Sequence, residues 1–257
     1  MTKTLEATST PERCEKCRGR GWRVEEDGGA GRAIKCDCRD PAANPDLLRH
    51  LMGEAGMEID EIESAFTDWD EAVQSRPVWS HHWLDWVLAG TKGGYPKPLA
   101  EHGPLPRNPW VLTLLGGPGR GKTKTAAVLM RRYIAGGGSS GLWIRGPEAF
   151  DRVQAERSEV GDSAYELRLS TAPLLVLDEL GLHHRAQAEV MAATAAEWLC
   201  RRQRRRLATV ITTNAESLSD LGDSRLESRL AEGFYRLMKG PDYRDIREDH
   251  ATGREPE

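Results

Sequence analysis

The 257-residue chain predicts an α/β fold: a five-stranded parallel sheet between helices, behind a smaller cysteine-bearing and helical N-terminal part. Three observations carry the prediction. From Trp110 onward, short and nearly continuous apolar runs alternate with helical stretches, the pattern of parallel strands covered on both faces. The first of these runs empties into LLGGPGRGKT (114–123), four glycines and a proline that neither a helix nor a strand interior would accept. A later run, LLVLDE, ends in two acids.

Composition sets the frame. At 39% hydrophobic and 30% charged residues the chain reads as soluble and globular, and its net charge of −4 argues against a basic DNA coat protein while allowing a local basic face. The N-terminal stretch lacks the apolar core of a signal peptide, and no run approaches the roughly 20 apolar residues that span a bilayer. A cytoplasmic location without membrane contact is expected.

Residues 1 to about 40 are polar, glycine-rich and carry four of the five cysteines. Residues about 45–90 read as helical: Asn44–Pro45 suits a cap and first helical position, and Leu47, Leu48, Leu51 and Met52 follow at helical spacing. Trp79, Trp83 and Trp86 form one stripe of a helix, read as a packed face or, alternatively, as a partner-binding one. The Gly- and Pro-dense stretch 89–109 is a linker. The division drawn from this is 1–105 for an N-terminal cysteine-bearing and helical domain with linker and 106–257 for the domain of alternating strands and helices. Within the latter, strands are expected at 110–115, 141–145, 174–178 and 208–213, and helices at 122–135, 147–158 and 187–206. Residues 224–232 read as a helix, 234–239 as a short strand, and the tail as disordered.

Gly116 to Thr123 fits G-x-x-x-x-G-K-[ST] between a strand and a helix. Gly116, Gly117, Pro118, Gly119, Arg120, Gly121, Lys122, Thr123 and Lys124 are the candidate phosphate-binding residues. Glycines let successive backbone N–H groups turn inward around phosphate oxygens, and the helix N-terminus adds partial positive charge. Lys122 would reach the β- and γ-phosphates of ATP, and Thr123 would ligate Mg²⁺. About 55 residues later, Asp178 is placed to hold Mg²⁺ and Glu179 to orient the attacking water. Asn214 ends the fourth strand, which should insert between the first and third, so its amide belongs beside the γ-phosphate or lytic water; capping the next helix is its other reading.

Cys14-x-x-Cys17 and Cys36-x-Cys38 present four thiolates on two short turns, with Gly19 and Gly21 giving a tight backbone. Tetrahedral Zn²⁺ accepts four thiolates, and so few apolar residues would not hold this segment folded alone. Structural zinc is the expectation, with redox chemistry or unligated thiols as alternatives. Cys200 reads as a small buried residue of a helix. The run RRQRRR (201–206) reads either as phosphate contacts to single-stranded DNA or as cations at a helix C-terminus. The His pairs at 81–82 and 183–184 lack metal-ligand spacing.

Phosphate loop, acidic strand end and strand-ending Asn together resemble the AAA+ ATPases, with their Walker A, Walker B and sensor 1 elements. Within that class the chain is similar to the bacterial and phage replicative-helicase loaders of the DnaC/DnaI type, and to their relative IstB. The resemblance also rests on CEKCRGRGW…IKCDC, RHLMGEAGM…SAFTDWDEA and DELG. It implies an ATPase that assembles with copies of itself, loads a DnaB-type helicase onto single-stranded DNA, and docks the helicase through its N-terminal region. It also implies that Arg229 of RLESRL, with Arg225 as a nearby alternative, completes a neighbouring subunit's site. Arg244 of GPDYR matches a cis sensor 2, although Asp242 stands where the family has Ser. The few residues after Asn214 imply a truncated lid. An IstB-like regulator that binds DNA and a transposase, or an adaptor that binds ATP with little turnover, are the other functional readings.

Overall fold

The computed structural model describes residues 14–18, 20, 22–27, 30–67, 78–91, 106–138, 141–160, 164–181 and 185–243. A two-stranded antiparallel hairpin opens it, β1 (Trp22–Asp27) and β2 (Ala30–Lys35), followed by a 3-10 turn at Asp37–Arg39. The hairpin carries the first cysteine pair to the second, so the two turns expected from the sequence meet across a small sheet.

Three helices follow. In α1 (Pro45–Glu54), the Asn44 side chain accepts the Leu47 N–H at 3.2 Å and Pro45 fills the first helical position, as the Asn–Pro pair predicts. In α2 (Ile59–Phe66), the Glu61 carboxylate reaches back to the Glu58 N–H at 2.7 Å. Residues Val78–Thr91 form α3, whose Trp83 is buried with its indole N–H on the Pro109 carbonyl at 2.8 Å. The side chains of Trp79 and Trp86 lie outside the described residues.

The remaining elements alternate as expected: β3 (Val111–Leu115), α4 (Lys122–Ala135), β4 (Leu142–Arg145), α5 (Gly146–Val160), α6 (Ala164–Thr171), β5 (Leu174–Asp178), α7 (Arg185–Arg204), β6 (Ala208–Thr212), α8 (Ser224–Ala231) and β7 (Phe234–Leu237). The sheet order is β4-β5-β6-β3-β7, with every neighbouring pair parallel. Strand β6 therefore does insert between β3 and β5. The short helix α6 and a 3-10 turn at Leu218–Leu221 are additions to the expected set.

Period-two alternation sorts the strands onto two cores. Leu112, Leu114, Val176 and Val210 face α4, and Val111, Leu115, Leu175, Leu177 and Ile211 face α7 and α8. The helices ahead of the linker join the first of these cores: Leu48, Met52, Ile62, Ala65, Leu84 and Val87 share it with Leu129, Met130 and Tyr133 of α4. In space, then, α1, α2 and α3 pack on the sheet layer that follows them in sequence. Their apolar stripes are too narrow to close a core alone, and α4 offers the complementary face. The same segment covers the sheet margin. Trp143 of β4 donates its backbone N–H to the Ala55 carbonyl at 2.7 Å, and Gly56, with φ 100°, lies so near that a Cβ would come within 2.6 Å of the Trp143 carbonyl. That contact satisfies part of an otherwise open edge.

Candidate nucleotide-binding site

The site forms where β3, β5 and β6 end together. Gly116, Gly119 and Gly121 all hold positive φ (128°, 63° and 76°), which winds the loop around the N-terminal end of α4. At Gly116 the requirement is also steric, since a Cβ would meet the Met238 carbonyl at 2.5 Å. Lys122 is buried and donates to the carbonyls of Gly116 and Gly117, both at 2.6 Å. Arg120 lies back across Gly117 and pairs with Glu216 at 2.8 Å, while the Gly117 N–H donates to the same carboxylate at 3.1 Å. Lys124 turns away, to the Thr67 hydroxyl at 3.1 Å, and Pro118 is exposed.

Asp178 stands at the end of β5, 2% exposed. Two hydroxyls converge on it: that of Thr212 donates at 2.6 Å, and that of Thr123 lies at 3.2 and 3.3 Å from its two oxygens. Burial pushes the Asp178 carboxyl above its ordinary pKa, opposed by the Thr212 and Thr123 hydrogen bonds and by the charge of Arg145. Glu179 follows with φ 56°, a conformation a non-glycine side chain adopts at a cost of about 1 kcal/mol. Its backbone N–H is fixed on the Thr212 hydroxyl at 2.9 Å. Oxygen donors on Thr123 and Asp178, one of them a buried carboxylate, fit a hard divalent cation such as Mg²⁺.

Sheet register explains Thr212. Leu177 pairs with Ile211, so the next residues, Asp178 and Thr212, stand side by side. Thr212 carries no motif signal of its own; only the pairing of β5 with β6 reveals it. Asn214, two residues on, is exposed at the same sheet edge, and the Ala215 carbonyl accepts the Gly116 N–H at 2.8 Å, tying the β6 exit to the glycine-rich loop. Arg145, level with Asp178 on β4, is held by Glu58 at 3.2 Å and Glu61 at 3.4 Å.

The arginines separate. Arg229 sits half-exposed on α8 and pairs with Glu232 at 3.5 Å, and Arg225 is exposed on the same helix. Arg244 lies outside the described residues, as do His183 and His184. The basic run divides in an unexpected way: Arg202 is fully buried, donating to Thr209 Oγ1 (2.8 Å) and to the carbonyls of Leu169 (2.6 Å), Ala172 (2.8 Å) and Ala208 (2.6 Å). Arg201 pairs with Glu166 and Glu197, and Arg204, Arg205 and Arg206 are exposed at the C-terminal end of α7. Cys200 is partly exposed rather than buried.

Far along the chain from the loop, Cys14, Cys17, Cys36 and Cys38 bring their sulfurs within 4.8 Å of one another. The Cys14–Cys36 and Cys17–Cys38 separations are 3.8 and 3.6 Å. A tetrahedral ion with Zn–S bonds of about 2.3 Å requires sulfurs about 3.8 Å apart, so the donor set fits zinc. Burial pushes the Cys38 thiol up to about 12, and the neighbouring thiols add to the shift. A cation is the group that would let such thiols ionise together.

No protein-family model matches the sequence, and no curated protein matches it. Solved structures do match. A crystal structure of DnaI is similar over 73% of this chain and 94% of that one, at 20% identity and a TM-score of 0.52. Domain III of the replication initiation protein DnaA from Thermotoga maritima matches over 78% of each chain, at 14% identity and a TM-score of 0.49. The DnaC helicase loader matches over 62% of this chain and 99% of its own, at 21% identity and a TM-score of 0.42. No helix among the described residues is long and apolar enough to cross a membrane. The five-stranded parallel sheet and its order agree with the α/β fold expected from the sequence, and the chain is similar in fold to DnaI.

Proposed function

We propose that the chain is an ATPase that loads a DnaB-type replicative helicase onto single-stranded DNA. The observation that carries the ATPase reading is the convergence of Thr123, Asp178 and Thr212 at three adjoining element ends, beside Lys122. In this reading residues 116–124 cradle the phosphates of ATP, and Lys122 leaves its two loop carbonyls for the β- and γ-phosphates. Thr123 and Asp178 would hold Mg²⁺, which supplies charge neutralisation at the phosphates when bound. Glu179 orients the attacking water from its fixed turn, and Asn214 hydrogen-bonds that water or the γ-phosphate. Arg229, or Arg225 beside it, reaches the site of a neighbouring copy in a ring or spiral, and Arg244 acts in cis. The four-cysteine unit holds structural zinc and docks the helicase.

The loader role draws support from the DnaI-like fold together with the four-cysteine cluster ahead of the sheet, which the family resemblance does not lead one to expect in a transposition regulator of the IstB kind. One experiment tests both parts. The full chain carrying Glu179→Gln, a change that preserves binding while removing the water-orienting carboxylate, is incubated with ATP and host lysate. The expected outcome is retained ATP binding, abolished hydrolysis and recovery of a hexameric helicase. Undiminished hydrolysis removes Glu179 from its role, and recovery of a transposase instead overturns the loader.

A further inference from the structure

The phosphate loop is gripped from outside by a segment that follows β7. The Met238 N–H extends the β3–β7 ladder to the Leu115 carbonyl at 2.8 Å, and the Met238 carbonyl then lies against Gly116. Five residues later the Tyr243 N–H donates to the Gly119 carbonyl at 3.1 Å. Between these two ties, the Asp242 carboxylate occupies the space that a Cβ on Gly119 would take. Gly119, at φ 63°, meets both demands at once: it supplies the left-handed turn of the loop and the missing side chain that admits the carboxylate. A loop whose amides and lysine attract anions therefore has an anion of its own chain pressed against it. Glu216 also touches the loop, where the Arg120 guanidinium clasps it at 2.8 and 3.1 Å.

We infer that Asp242 is a specificity-determining residue of the nucleotide site, setting its discrimination between triphosphate and diphosphate. The inference rests on the nucleotide reading above. Phosphates seated in the loop lie within a few ångströms of Gly119, a distance at which like charges near a protein surface repel strongly. A triphosphate brings more negative charge than a diphosphate, so the carboxylate weakens ATP more than ADP. The segment 238–243 is thereby coupled to the nucleotide: its carboxylate is pushed off the loop by the ligand that the loop admits.

The test is equilibrium titration of the full chain with ATP and with ADP, in magnesium buffer, for the unaltered protein, Asp242→Asn and Asp242→Ser. Both substitutions are small changes at a half-exposed position, and thermal melting verifies that each variant is folded. The expected result is an ATP Kd lowered by about tenfold in both variants, an ADP Kd lowered by less, and a gain that shrinks as salt is raised. An ATP-to-ADP affinity ratio that is the same in all three proteins, or weaker ATP binding in the variants, overturns the inference while leaving the nucleotide site intact. Binding of neither nucleotide by any of the three overturns the nucleotide reading, and this inference with it.

Discussion

Thr212 ties Asp178 to the turn that follows it: the threonine hydroxyl donates to the carboxylate at 2.6 Å and, on its other side, accepts the N–H of Glu179 at 2.9 Å. One side chain thus orients the acid that ends β5 and fixes the backbone of the acid that comes next. Thr212→Val keeps the shape of a buried strand residue and removes both bonds. It should cost about 1–3 kcal/mol, the usual penalty for leaving buried polar groups unpaired. It should also slow ATP turnover more than it weakens ATP binding, whereas Thr212→Ser should restore much of the rate. Urea unfolding and steady-state hydrolysis of the three proteins decide the matter; equal rates in all would make Thr212 structural only.

Asp178 itself should stabilise the ligand-free protein when neutralised. Because burial raises its pKa, the folded chain binds that proton more tightly than the unfolded chain does. The stability contributed by the proton is complete below the unfolded value, near about pH 4, and is lost as pH rises through the raised folded value. Asp178→Asn should therefore melt a few degrees above the unaltered protein at about pH 7.5, with the gap closing toward about pH 4. A gap that persists at acid pH, or a variant that melts lower throughout, would sink this account of the site.

Within the arginine run, position decides the outcome. Arg202→Met removes a donor from the buried carbonyls of Leu169, Ala172 and Ala208 and should cost about 1–3 kcal/mol, readable as a lowered urea midpoint. The pair Arg204→Ala and Arg205→Ala, both exposed, should leave stability within about 0.5 kcal/mol. If those two arginines meet single-stranded DNA, the double variant should also lower the salt dependence of DNA binding, by about 0.7 in the log–log slope for each phosphate no longer neutralised. An unchanged slope assigns them to the end of the helix alone.

Metal analysis of the purified chain should find about one zinc per molecule. Chelation, or Cys17→Ser, should unfold the hairpin unit of residues 14–40 and leave the melting of the sheet nearly unchanged, since the cysteine cluster shares no core with it. Helicase capture should fail in the stripped protein. Zinc-free protein with undiminished capture would remove the metal from the docking role.

What the sequence disclosed and what it hid divide along physical lines. The loop from Gly116 to Thr123 was legible because glycines spaced between a strand and a helix mark a tight turn, and Gly116, Gly119 and Gly121 do hold positive φ there. Asp178 was legible because a buried parallel strand has no use for a carboxylate except at its ligand-facing end. The insertion of β6 between β3 and β5 agrees with the order expected of the strands and carries Asn214 to the sheet edge. Thr212 was hidden, since its role comes from register and a threonine ending a strand is ordinary in composition. Arg202 was hidden for the opposite reason: five arginines in six positions read as solvated, and only the helix phase turns one of them inward. The stripes of α1, α2 and α3 announced buried faces without naming their partner, so their seat on α4 could not be read from periodicity.

The contact between Trp143 and Ala55 has a practical outcome for anyone who would dissect the molecule. A scissile point placed in the Pro- and Gly-dense connector would strip three helices from the flank of α4 and bare the outermost ribbon of the sheet, whose freed amides invite adhesion to other chains. Fragments made that way would be expected to stick rather than dissolve, and the behaviour of either half would misreport the whole.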